Sequence, residues 1–132
     1  MEGLPPNVKL SKWLPQNDVL GHKNIRMFIT HGGHGGSTEA IYNGVPLVGL
    51  PMFGDQVWNM KQAEKKGFAI SLNILEITEE DLFQAINKVL TDPRYKCKNS
   101  SATMGRMCNV AVFNLVSGKR QNFFLSCTVI VR

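Results

Sequence analysis

An α/β fold, a parallel sheet flanked by helices, is what this sequence predicts, and two features carry the prediction. Short apolar runs alternate with helical patterns at close intervals, and glycine, proline or asparagine separates them. A glycine-rich stretch also stands where one apolar run passes into a helical pattern, the kind of junction at which parallel α/β sheets bind ligands beyond the carboxyl ends of their strands.

Taken in order, Val8-Lys9-Leu10 and Met27-Phe28-Ile29-Thr30 are the first two predicted strands. A crossover helix over Ser37 to Tyr42 ends at Asn43-Gly44, where glycine supplies a left-handed C-terminal cap. Leu47-Val48-Gly49-Leu50 is the third strand, and a second crossover helix from Asp55 to Lys66 ends at Gly67. Phe68-Ala69-Ile70-Ser71-Leu72 is the fourth strand. Thr78, followed three residues later by Asp81, marks the start of a third helix, whose stripe of Leu82, Ala85, Ile86, Val89 and Leu90 keeps the helical period until Pro93 stops it. The loops after Thr30 and Leu50 are therefore the expected ligand-facing segments.

Composition narrows the function classes. With 132 residues, 43% hydrophobic and 19% charged, the chain suits one globular domain rather than a disordered, collagenous or coiled-coil protein. A membrane span needs about 20 apolar residues, and the longest comparable run, Phe123 to Val131, is less than half that. The start, Met1-Glu2-Gly3-Leu4-Pro5-Pro6, lacks the basic and apolar regions of a signal peptide. The net charge of +5 raises nucleic acid as a partner. Its distribution argues against one: residues 1–92 carry eight Lys and Arg against ten Asp and Glu, whereas residues 93–132 carry seven basic residues and no acid. Cys97, Cys108 and Cys127 all lie in that basic stretch, at spacings that suit neither a disulfide framework nor zinc.

The stretch Thr30-His31-Gly32-Gly33-His34-Gly35-Gly36-Ser37 brings backbone N–H groups and the positive end of a helix dipole towards one point, which suits a phosphate or diphosphate. Glycines let the chain approach an oxyanion without Cβ obstruction, and His31 adds a side-chain donor. The spacing is neither a Walker loop nor a dinucleotide fingerprint. The bland reading is a tight strand-to-helix turn and nothing more. His31, His34 and His22 have no regular metal-ligand spacing, so no metal is expected.

Trp13-Leu14-Pro15-Gln16 lies upstream of this turn, Glu39 follows eight residues after His31, and Pro51-Met52-Phe53-Gly54-Asp55-Gln56 closes the next strand. Together these segments resemble the signature of the UDP-glycosyltransferase family, particularly its animal UDP-glucuronosyltransferase branch. The likeness runs from Trp13 through Gln56 and more loosely to about Lys96. It implies a Rossmann-like partial C-terminal domain of a GT-B glycosyltransferase over residues 1–96, followed by a divergent basic tail over 97–132.

The resemblance assigns donor-binding roles position by position. Trp13 stacks on uracil, as an indole face can; the alternative is a core tryptophan. Gln16 lies near the ribose, where an amide donates and accepts; otherwise it is a polar residue opening a helix. Thr30, His31, Gly33, Gly35 and Gly36 form the diphosphate turn, where negative charge grows as UDP leaves. Glu39 accepts hydrogen bonds from the ribose hydroxyls, or else is an exposed helix glutamate. Asp55 and Gln56 hold the hydroxyls of the donor sugar, or cap the following helix. One position departs: Gly35 stands where the family commonly has Asn or another side-chain donor four residues after the His.

The implied chemistry is inverting transfer from a UDP-sugar to a small lipophilic hydroxyl compound, with the UDP-sugar as donor substrate and no cofactor. A His assisted by an Asp activates the acceptor, and both belong to the family's N-terminal domain. No catalytic residue is therefore assigned here, and the chain alone is expected to show no turnover. The family implies the endoplasmic reticulum membrane, although no signal peptide or membrane helix is read in these residues. The tail reads as foreign to the family, an aberrant or alternative C-terminus, with an anionic-lipid-binding segment as a further reading. The competing class of function is a non-catalytic isoform that associates with full-length family members.

Overall fold

The computed structural model describes residues 7–8 and 11–95. Seven elements follow in order: α1 (Gln16–Leu20), β1 (Phe28–Thr30), α2 (His34–Tyr42), β2 (Leu47–Gly49), α3 (Asp55–Lys65), β3 (Ala69–Ser71) and α4 (Glu79–Thr91). The strands form one parallel sheet in the order β1-β2-β3, with Phe28 opposite Leu47 and Leu47 opposite Ala69.

The period-two alternation of the strands divides the core into two layers. Phe28, Leu47 and Ala69 point to one face and pack with Leu20 of α1, Ala40 of α2, and Met60 and Ala63 of α3. Met27 and Val48 point to the other, where Ala85 and Val89 of α4 cover them with Ile29, Ile70 and Leu72. Every residue of β2 is buried, as a central parallel strand covered on both faces requires. The arrangement is the expected α/β sheet flanked by helices.

Two crossover helices end alike. After α2, the Gly44 N–H donates to the Ile41 carbonyl (3.1 Å) and the Val45 N–H to that of Ala40 (2.8 Å). After α3, Gly67 bonds Glu64 (2.8 Å) and Phe68 bonds Ala63 (2.9 Å). Both are Schellman endings, with Gly44 at φ 69° and Gly67 at φ 79° supplying the left-handed residue. The buried Val45 and Phe68 then lead the chain straight into β2 and β3. At α4 the expected capping box is present: the Thr78 hydroxyl accepts from the Asp81 N–H (3.2 Å) and the Asp81 carboxylate from the Thr78 N–H (3.0 Å).

Four expectations change. Val8 lies in no strand and is exposed, and the remainder of that predicted strand, Lys9 and Leu10, falls outside the described residues. Helix α2 begins at His34 rather than Ser37, so Gly35 and Gly36 belong to its first turn. Glycine has low helix propensity, but first-turn N–H groups need no intrahelical acceptor, and the Ser37 N–H already bonds the Gly33 carbonyl (3.1 Å). The N-cap of α3 is Gly54, with Asp55 as its first helical residue and no side-chain cap. Helix α1, five residues behind Pro15, is an element the apolar pattern did not announce. The predicted tail over 97–132 lies outside the described residues.

Candidate functional site

Helix α2 and the carboxyl ends of β1 and β2 gather most of the residues singled out from the sequence. Thr30, the last residue of β1, is buried, and its hydroxyl accepts from the Gly32 N–H (3.3 Å). Gly32 turns the chain at φ 83°, a conformation that disfavours any side chain. A Cβ there would also meet the Met60 Cγ at 2.5 Å and the Gln56 carbonyl oxygen at 3.2 Å. The turn thus rests directly on α3.

Gly33 is a glycine for another reason. Its φ of −61° and ψ of 148° suit any residue. A Cβ on it, however, would collide with the Nε2 edge of the His31 ring. His31 therefore folds over the backbone of the turn, half-buried, with its imidazole against the N-cap of α2. Gly33, His34, Gly35 and Gly36 carry the first four N–H groups of the helix, which have no intrahelical partner and face outward with the positive end of the dipole. This is an anion-receiving geometry.

The residues to which the resemblance gave nucleoside contacts lie on or just before α1 and along α2. Gln16 donates through Nε2 to the Glu39 carboxylate (2.8 Å), and the same nitrogen would lie 3.4 Å from a Cβ on Gly36. Gln16, Gly36 and Glu39 are thus one cluster, and Glu39 is a half-buried, oriented carboxylate rather than a free surface one. Trp13 is 71% exposed, which removes the core-tryptophan alternative and leaves an indole face open to solvent. Its carbonyl accepts from the Ser11 hydroxyl (2.6 Å).

Asp55 and Gln56 differ from each other. Gln56 is buried, and its Oε1 accepts from the N–H groups of Met52 (2.9 Å) and Phe53 (3.3 Å), so its carbonyl organises the loop that carries the site. Asp55 is exposed, and one carboxylate oxygen accepts from Asn59 Nδ2 (3.1 Å). The same nitrogen donates to the Gly32 carbonyl (3.2 Å) and joins the Asp55 loop to the glycine turn. Sequence reasoning missed Asn59, although the Asp55-x-x-x-Asn59 spacing places the pair on one helical face. Gly35 has nothing within 4 Å of a built Cβ, so the position where the family commonly carries a side-chain donor is open.

Among the described residues no three His, Cys, Asp or Glu side chains form a metal-ligand group, and no helix is long and apolar enough to cross a membrane. A cleft of about 380 Å³, lined by His22, Lys23, Arg26, Pro46 and Leu90 among others, lies at the amino ends of the strands, away from these residues.

The fold is that of part of a GT-B glycosyltransferase: the chain superposes on the glycotransferase of kitacinnamycin with a TM-score of 0.70 and 32% identity, over 84% of this chain and 28% of that one. A profile of the family described as UDP-glucoronosyl and UDP-glucosyl transferase matches residues 2–104, and the chain belongs to that family. It is 47% identical over 104 residues to UDP-glucuronosyltransferase 2B13 of Oryctolagus cuniculus, covering 79% of this chain and 19% of the relative. It is 54% identical over 93 residues to UDP-glucuronosyltransferase 1A9 of Homo sapiens, covering 70% and 18%. The chain therefore spans about a fifth of the length of these relatives.

Proposed function

We propose that this chain forms the UDP-binding half-site for glycosyl transfer from a UDP-sugar, glucuronosyl or hexosyl, to a small lipophilic hydroxyl acceptor. The observation that carries the reading is the continuity of the site. Four N–H groups with no partner among the described residues and the His31 ring stand at the head of α2, and Glu39, one to two turns along the same helix, holds Gln16 of α1. A diphosphate suits the first group and a ribose the second; the open indole of Trp13 offers a stacking face for the base. Asp55, at the other side of the turn, supplies an exposed carboxylate for sugar hydroxyls.

No residue here is assigned as the base that activates the acceptor, and His31 is a diphosphate donor in this reading. The purified chain then binds UDP and yields no glycoside with a UDP-sugar and a phenol. The endoplasmic reticulum membrane as its location belongs to the same proposal, whereas a non-catalytic isoform that associates with full-length relatives is the competing one.

Calorimetric titration with UDP, CMP and inorganic phosphate tests it. UDP is expected to bind best, and Trp13→Ala is expected to cost about 1–3 kcal/mol through lost stacking. Glu39→Ala should weaken uridine binding more than pyrophosphate binding. Equal affinities for the wild type and both variants would remove the site.

A further inference from the structure

We infer that Asn59 is a positioning residue that fixes the Gly32–Gly33 peptide plane and thereby presents the Gly33 N–H to the diphosphate; this rests on the donor-site reading above. Glycine at φ 83° has wide freedom in the peptide that follows it. The Gly32 N–H, in the preceding peptide, donates to the Thr30 hydroxyl (3.3 Å), and the freedom of the following peptide is removed by one bond, from Asn59 Nδ2 to the Gly32 carbonyl (3.2 Å). The peptide is trans, so a carbonyl aimed at Asn59 directs the Gly33 N–H away from α3. That N–H is the first of the four unpaired donors at the head of α2.

With the peptide flipped, the Gly32 oxygen would occupy the place of the donor, and a carbonyl dipole would face an anion where a hydrogen bond had been. The side-chain amide has two hydrogens, and its second contact is the Asp55 carboxylate (3.1 Å). Asn59 therefore links the phosphate-facing turn to the carboxylate proposed for the sugar. Neighbouring Met60, fully buried beneath Gly32 and Gly49, holds the helix against the turn, so the amide acts from a rigid support.

The test uses the full chain, with UDP and uridine as paired probes and the Gly33 amide followed by ¹⁵N-resolved NMR. Asn59→Ala and the isosteric Asn59→Asp, which cannot donate when ionised and repels the Gly32 carbonyl, should lower the preference for UDP over uridine about tenfold. Both should shift the Gly33 amide while leaving α4 amides in place. The exchanged pair Asp55→Asn with Asn59→Asp restores the bond between positions 55 and 59 but not the bond to Gly32. It is expected to remain as defective as Asn59→Asp. Rescue by the exchange would mean that Asn59 only ties down the start of α3, which would overturn the inference. An unchanged UDP preference together with an unmoved Gly33 amide would overturn it as well. A wild-type chain without preference for UDP over uridine removes the donor-site reading and with it the diphosphate role; the Gly33 amide then still separates a fixed turn from a free one.

Discussion

Gly32 and Gly33 stand side by side for unrelated reasons, and the difference governs what substitution does at each. Gly32 is bound to its conformation by a positive φ and by Met60 beneath it, whereas Gly33 is bound only by the His31 ring lying across it. Gly33→Ala is thus expected to leave the fold intact and push His31 off the turn, weakening UDP binding while the thermal midpoint stays near that of the wild type. Ser37 is a contrasting case: its side-chain oxygen is buried and has no hydrogen-bond partner among the described residues. An unpaired buried hydroxyl costs about 1–3 kcal/mol, so Ser37→Ala should stabilise the chain by roughly 1 kcal/mol, read as a raised midpoint of thermal unfolding. At Gly35 the space for a side chain is open. Gly35→Asn is expected to tighten UDP binding about threefold to tenfold by adding a donor, with affinity measured by calorimetry. The motif spacing made these residues legible as a group. It could not distinguish a glycine required by φ from one required by a neighbouring ring, because that distinction depends on where His31 and Met60 lie.

Among the elements, those with explicit boundary chemistry were the most legible. Gly44 and Gly67 end α2 and α3 as the sequence predicts, and Thr78 with Asp81 opens α4. The apolar stripe of α4 reached the sheet as expected through Ala85 and Val89, because a helix over one face of a sheet must keep the helical period. Helix α1 was legible only through the alternative that Gln16 opens a helix, as it does: five residues without a capping side chain are too few to set a period, and their order comes from contacts such as Gln16 with Glu39 and buried Leu20. Helix α2 starts three residues before Ser37 because a glycine-rich turn and a glycine-rich first helical turn share one sequence pattern, which only the folded backbone tells apart.

The α4 box carries a pH prediction. Hydrogen bonds from the Thr78 hydroxyl and, second, its backbone N–H lower the Asp81 carboxyl from its ordinary value of 3.8. A lowered acid stabilises the fold fully above the unfolded value, and the contribution disappears as pH falls from 3.8 through the folded value. Asp92 behaves in the same sense, its carboxylate held by the Arg94 side chain and N–H just beyond the helix. Fraying of α4 at both ends is therefore expected in acid, seen as lowered amide protection factors in its first and last turns at low pH. Asp81→Asn should abolish the pH dependence of the first turn alone.

At the scale of the molecule, the short parallel strands place the glycine turn and the Asp55 loop on one edge. The glycine turn follows β1 and the Asp55 loop follows β2, adjacent strands whose Thr30 and Gly49 are paired in register. The two loops are neighbours because the strands are, and Met60 of α3 fills the space under both. Alternation of apolar runs and helical patterns was sufficient to predict this layering, while side-chain contacts across it, those of Gln56 and Asn59 above all, required the folded chain. Binding at such an edge should stabilise the whole fold by linkage, so UDP is expected to raise the unfolding midpoint in a concentration-dependent way, and free phosphate much less.

In the proposed reading this chain recognises the UDP part of a sugar donor across Trp13, the Gln16–Glu39 pair and the head of α2. Ligand-detected NMR of UDP with the purified chain, against CMP and phosphate, tests it most directly. Saturation transfer strongest at the uracil and ribose protons, lost in Trp13→Ala, is the predicted result. A folded chain that gives no transfer to UDP, or equal transfer to CMP, would mean that these residues do not form a UDP site.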